Sequence, residues 1–234
     1  MNDDATSNRS HNLLEDQALD RVQLETLAAG EKPCTLVRCD LEEVALSRLD
    51  LGNWTFDNCI LRRAAFVGAK MEGSQWLGCR GGFADFTGTD LREARFEGCD
   101  FNNSNFRGAT LSSASFERCK LTGANLTETK SMHAVFEETI LADARLPGFS
   151  FRKAQLKQLD FQMADLRKCD FRQSVFEECS LRDANLAGCR FEGADLRGAD
   201  LGGIQLVDAR QFKGATISRD QAGQLLAELG LNVR

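Results

Sequence analysis

Ala194-Asp195-Leu196-Arg197-Gly198-Ala199-Asp200-Leu201 repeats itself after five residues. Working outward from this stretch, a bulky apolar residue recurs at every fifth position from Leu36 to Leu206 without a change of register. Leu, Phe, Met or Trp fills 33 of these 35 positions, and only Gly81 and Ser131 break the rule. We call this position i. At i−2 the residue is usually Ala, Cys, Ser or Thr, and all nine cysteines fall there. At i+2 stand 12 of the 20 glycines.

A period of five matches neither the 3.6 of a helix nor the 2 of a strand, so the chain must turn once per unit. The bulky i and the small i−2 side chains then point inward, and i−1, i+1 and i+2 face water. Glycine at i+2 suits a corner of positive φ. One unit cannot bury its apolar residue alone, so successive turns of chain must stack.

The units Ala124-Asn125-Leu126 and Ala194-Asp195-Leu196 resemble the consensus of the pentapeptide-repeat family, Ala-Asp/Asn-Leu-X-X. The resemblance runs from residue 34 to about 216. It implies an all-β fold, a right-handed quadrilateral β-helix with twenty residues per coil. Thirty-five units then make about nine coils, a rod of roughly 43 Å at the spacing of paired strands. Twenty residues per coil assign each unit to one of four faces. Phe56, Trp76, Phe96, Phe116 and Phe136 stack on the first face, Phe66, Phe86 and Phe106 on the third, and Phe151, Phe171 and Phe191 on the fourth. Cys39, Cys59, Cys79, Cys99 and Cys119 form a ladder on the second face. With CxxC absent and only His11 and His133 as histidines, small buried hydrophobes are the best account of these thiols, and no metal or cofactor is expected.

Both ends carry helix signals. Asn12-Leu-Leu-Glu15 reads as a capping box opening a helix over 13–29 that covers the first coil, with Gly30 and Pro33 as its stop. The expected organisation is a disordered tail over 1–12, a capping helix within 13–30, the solenoid over 34–217 and a helical end over 218–234. Ser218-Arg-Asp-Gln221 is a second capping box, and Ala222, Leu225, Leu226 and Leu229 form the apolar face behind it. This helix either caps the last coil or caps it and also pairs with a second copy. The segment Asp220–Leu231 resembles the C-terminal helix of the quinolone-resistance pentapeptide proteins, which implies a homodimer.

The same resemblance implies a non-catalytic, protein-binding rod whose partner is DNA gyrase or topoisomerase IV, modulating sensitivity to quinolones. The alternative is a scaffold or interaction module for another protein. No acid, base and nucleophile set converges in the pattern, and Gly81-Gly82 lacks the spacing of a phosphate loop, so an enzyme is not expected. The polar, acid-bearing start and the lack of a long apolar run point to the cytoplasm, without a membrane span. A net charge of −6 argues against direct nucleic-acid binding.

Residues 36–217 hold 26 acids and 24 bases, and over 34–213 the faces sum to −3, −3, +1 and +3. No face is uniformly acidic, which argues against wholesale mimicry of duplex DNA. A local stripe does stand out on the first face. Glu97, Glu117 and Glu137 occupy i+1 in successive coils, Lys157 interrupts, Glu177 resumes, and Glu138 and Glu178 lie beside them. It is either a solvated face or a docking stripe for a basic partner. The two defects, Gly81-Gly82 and Ser131 with His133, are either bulges or binding features. The quinolone-resistance proteins carry inserted loops, and this register contains none.

Overall fold

The computed structural model describes residues 12–30, 32–204, 209–228 and 230–233. The chain winds as a four-sided parallel β-solenoid. Bridges join residues twenty apart on each side, as in Asp40–Ile60–Arg80–Asp100 and Ala45–Ala65–Asp85–Asn105. The first face is the most regular. It consists of β1 (Asn12–Glu15), β2 (Cys34–Val37), β3 (Thr55–Asp57), β4 (Gln75–Leu77), β5 (Arg95–Glu97), β6 (Ser115–Glu117) and β7 (Val135–Glu137), paired in sequence order as one seven-stranded sheet. Below it β8 (Gln155–Lys157) pairs with β9 (Val175–Glu177), and on the second face β10 (Cys179–Ser180) pairs with β11 (Ala199–Asp200).

The corners explain the residue chosen at i+2. Every i+2 residue from Arg38 to Gly193 has positive φ, near +50 to +77°. Glycine enters that region without steric cost, and the other residues there are mostly polar or charged side chains that reach into water. The core explains i. The first-face rings stack at 4.2 Å (Phe56–Trp76), 5.4 Å (Trp76–Phe96), 4.6 Å (Phe96–Phe116) and 5.0 Å (Phe116–Phe136). Across the core the third-face rings meet them edge-on, as Phe66 does Trp76 at 85°. Such pairs add about 0.5–1.5 kcal/mol each beyond area burial.

The small residue at i−2 does more than leave room. The thiols of Cys59, Cys79, Cys99 and Cys119 donate to the carbonyls of Leu36, Phe56, Trp76 and Phe96 one coil above, at 3.2–3.4 Å. Thr139 Oγ1 does the same to Phe116 at 3.1 Å. Cysteine is therefore a hydrophobe with a weak donor aimed at a buried acceptor. All nine cysteines are buried and unbridged. The neighbouring thiols and burial together hold Cys79 and Cys119 above the ordinary thiol range.

The N-terminal end differs from the expectation of a helix over 13–29. Asn12–Glu15 is strand β1, pairing in parallel with β2 so that Leu14 lies over Leu36. The helix is α1 (Arg21–Ala28), and its capping box is Asp20 with Gln23, the two reciprocal bonds measuring 2.9 and 2.8 Å. The physical reason is the open edge of the second coil: a strand satisfies its backbone groups, which a helix lying across them does not. Helix α1 then completes the coil in place of two flat sides, closing it in 22 residues rather than twenty. Leu19 and Leu24 are buried over the core. Of the expected tail over 1–12, residues 1–11 lie outside the described residues.

At the other end the register slips by one. Phe212 stacks on Phe191 at 4.8 Å, 21 residues on, and Asp195 bridges Thr216. A short 3-10 turn, Ala209–Phe212, leads to α2 (Arg219–Glu228). Its capping box is the one read from the sequence, with Ser218 N–H donating to Gln221 Oε1 at 2.7 Å and Gln221 N–H to Ser218 Oγ at 3.1 Å. The other end of the Gln221 amide donates to the carbonyls of Leu196 and Ala199 at 2.7 and 2.6 Å, fastening the helix to the last coil.

One interruption crosses the rod. Sheet β1–β7 ends at Glu137, and β7 does not pair with β8. Among the described residues, no backbone hydrogen bond joins Thr129–Ala134 to Ser150–Gln155. Bonding returns on either side, with Arg145 N–H to Ala124 at 2.9 Å and Glu138 N–H to Lys157 at 3.0 Å. The seam lies under Ser131, where a bulky residue is missing from the core. Phe149, at an i−2 position, lies beside Phe136 and Phe151 at 6.0 and 5.9 Å and fills the space a leucine at 131 would take.

Candidate interaction surfaces

The first-face stripe forms as the register requires. Glu97, Glu117 and Glu137 are direct ladder neighbours, and Lys157 faces Glu177 in the next pair of strands. The stripe is not a bare row of carboxylates. The Arg118 guanidinium sits between Glu97 and Glu117 and pairs with both. Lys157 Nζ lies 3.3 Å from Glu137 and 3.6 Å from Glu138, and their carboxylates hold its ammonium above the ordinary lysine range. Gln158 donates to Glu178 at 2.8 Å. Six carboxylates are thus interleaved with two cations, and the stripe is acidic in net charge but laced with ion pairs.

A second pattern, unremarked in the sequence, stiffens individual corners. In the units Asp90-Leu-Arg92, Asp165-Leu-Arg167, Asp170-Phe-Arg172 and Asp195-Leu-Arg197 the aspartate at i−1 accepts from both the backbone N–H and the guanidinium of the arginine at i+1. The arginine side chain, first of all, holds each of these carboxyls below the usual range. Asp170 also accepts from Arg190 at 2.8 Å. The recurring Asp-Leu-Arg was the available signal.

The two defects differ. At Gly81 the core gap is filled from below: a Cβ there would come within 2.0 Å of Phe101 Cε1. The aromatic of that unit is instead Phe83, outside at i+2, 57% exposed at φ +63°, with Arg63 6.0 Å above its ring. At Gly82 a Cβ would meet only the Asn102 carbonyl oxygen, at 3.6 Å. At Ser131 the seam opens, and Met132 and Val135 are exposed by 69% and 55% next to the exposed His133.

On α2, Ala222 and Leu225 are half-buried and Leu226 is 40% exposed, while Leu229 lies outside the described residues. Leu196, Leu201, Ile204, Phe212, Ile217 and Leu225 line an apolar cavity of about 200 Å³ between the helix and the last coil. No titratable side chain enters its lining. Among the described residues no group of three or more His, Cys, Asp or Glu is placed to hold a metal ion, and no helix is long and apolar enough to cross a membrane.

With a twenty-residue coil, left-handed corners and a filled core in place, comparison with known proteins agrees with the fold. A profile described as "Pentapeptide repeat region" matches residues 32–106, and one described as "Pentapeptide repeats (8 copies)" matches 89–128, 114–147, 134–173 and 174–210. The chain belongs to the pentapeptide-repeat family. No curated protein matches it. Among solved structures it is similar to a trypsin-treated variant of QnrB1, a plasmid-mediated fluoroquinolone resistance protein, at 19% identity and a TM-score of 0.67, covering 96% of this chain and 98% of that one. A second trypsin-treated QnrB1 variant gives 22% identity and a TM-score of 0.55, covering 86% and 98%. At these identities the likeness is one of fold.

Proposed function

We propose that this pentapeptide-repeat protein is a non-catalytic, dimeric rod that binds DNA gyrase or topoisomerase IV and modulates the action of quinolones. The observation that carries the reading is the C-terminal end. Helix α2 is fastened to the solenoid chiefly by Gln221 and by Glu228, whose carboxylate accepts from Gly203 N–H at 2.9 Å. Its apolar residues are left half-covered, with Leu226 exposed on the helix and Leu231 and Val233 exposed just after it. A second copy packing its own α2 there buries this surface on a two-fold axis. The fold match to QnrB1, a fluoroquinolone resistance protein, spans nearly the whole length of both chains. The first-face stripe of Glu97, Glu117, Glu137, Glu138, Glu177 and Glu178 is the docking surface in this reading.

The ion pairs of Arg118 and Lys157 within that stripe favour a second reading, a scaffold for a different protein, because they lower the field available to attract a basic surface. A gyrase supercoiling assay with and without ciprofloxacin separates the two. Inhibition of supercoiling or rescue from the drug by micromolar protein supports the topoisomerase reading, and absence of both removes it. Light scattering after size exclusion tests the dimer: Leu226→Glu converts a dimer to a 25.9 kDa monomer, and a wild-type monomer at high concentration overturns it.

A further inference from the structure

The seam beneath Ser131 runs along the fourth face and round its corner to the first, where Val135 shares β7 with Glu137 of the stripe, and three features meet there. The first is open backbone. Above the seam the ladder is intact, with Lys130 N–H to Ala109 at 3.0 Å and Val135 N–H to Ala114 at 2.9 Å. Below it the ladder is intact again, with Phe151 N–H to Asp170 at 2.8 Å and Lys153 N–H to Arg172 at 2.9 Å. Between them, the bonds that Ser150 N–H and Gln155 N–H would make to Thr129 and Ala134 are not formed among the described residues. A row of unmatched N–H and C=O groups at strand spacing is a template for an extended chain.

The second is charge. Units 129–133 and 149–153 contain Lys130, Arg152 and Lys153 and no acid. Among the described residues these three take part in none of the ion pairs of the rod. The nearest acid below, Asp170, is already engaged by Arg172 and Arg190. Arg62, Lys70, Arg92, Arg107, Arg118 and Lys157 have carboxylate partners; Arg48, Arg80, Arg95, Lys120, Arg145 and Lys168 form no ion pair among the described residues, and what marks the seam is that three such cations fall in two stacked units. The third is apolar exposure, from Met132 and Val135 on the upper lip.

We propose that this seam is a second interaction surface, and that its occupant is an acidic, extended segment of a partner protein whose outward side chains, every second residue, are acidic and apolar in turn. Its carboxylates meet Lys130, Arg152 and Lys153, its apolar side chains cover Met132 and Val135, and its backbone pairs with the open groups of the seam. The surface requires neither a topoisomerase nor the dimer, so it stands or falls separately from the function proposed above.

The test uses a fluorescein-labelled eight-residue peptide, Glu-Ser-Val-Ser-Glu-Ser-Val-Ser, which sets Glu and Val in turn along one face of an extended chain, read by fluorescence anisotropy on the full chain. Its Lys-Val counterpart and a short DNA duplex serve as competitors. The peptide binds the wild type, and Arg152→Glu with Lys153→Glu weakens binding on the order of tenfold. Ser131→Leu with Phe149→Cys restores the repeat, closes the seam and leaves every charge in place, and it weakens binding to a similar degree. Hydrogen exchange on the wild type gives a readout that needs no variant: the peptide slows exchange at the Ser150 and Gln155 amides. No binding by the wild type, full binding by the closed-seam variant, or no protection at these amides overturns the proposal. Equal or tighter binding of the duplex or of the Lys-Val peptide overturns it as well, and in the case of the duplex reassigns the patch to nucleic acid.

Discussion

Gly81 and Ser131 are the same lesion in the sequence, a small residue where the core demands a large one, and the structure answers them in opposite ways. At Gly81 the ring of Phe101 moves into the vacancy from the coil below, and the ladder passes through unbroken, with Gly81 N–H bonded to Asp100 at 2.7 Å. At Ser131 the filling group is Phe149, which comes from an i−2 position, and the ladder parts. A vacancy filled along its own column of i residues leaves the stacking undisturbed. One filled from the neighbouring column places bulk where two coils must approach within about 4.8 Å. The position of the compensating residue, more than the size of the gap, decides whether the rod stays continuous.

The comparison breaks most readily at Phe101. Phe101→Ala empties the healed site and costs about 3–5 kcal/mol, read from urea unfolding. Gly81→Leu alone overpacks the same site and costs about 1–3 kcal/mol, and the double variant Gly81→Leu with Phe101→Leu recovers most of that loss. A smaller effect is expected just below the seam, where Asp170→Asn removes the acceptor shared by Arg172 and Arg190 at a cost of about 1.5–3 kcal/mol. That carboxyl titrates below its unfolded value, with Arg172 as the main cause. Its stabilisation is therefore present above the unfolded value near pH 4 and fades as pH falls through the folded one. Wild type and variant accordingly converge in stability in acid. Closing the seam with Ser131→Leu and Phe149→Cys raises stability by about 1 kcal/mol through the regained ladder bonds. Smallest of all, Phe83→Asn changes stability by under about 1 kcal/mol, because it exchanges an exposed ring for a residue that tolerates positive φ.

The solenoid was legible because its cause is local. Each unit states its own inward residue, its small neighbour and its corner, so the five-residue register carries the faces, the stacks of Phe56 to Phe136 and the left-handed corners directly. What the register hid lies where spacing departs from five. Leu14 and Leu19 are one unit apart and belong to the solenoid, but the 17 residues from Leu19 to Leu36 hold α1 and conceal the connection. Phe212 was hidden by a single added residue. The candidate stripe was legible in outline, since Glu97, Glu117 and Glu137 follow from the period. Its neutralisation by Arg118 was visible only as proximity, because a side chain at i+2 can reach across coils or along its own. The seam required two residues to be weighed together, and neither Ser131 nor Phe149 announces it alone.

The thiols described along the core have one more consequence. Six of them, Cys34 to Cys119, lie on one side of the seam and three, Cys169 to Cys189, on the other, with none between. The rod therefore carries two sets of internal labels that report on its two halves independently. An alkylating reagent with mass readout distinguishes a molecule that opens as one body from one that parts at the seam and loses first the shorter half.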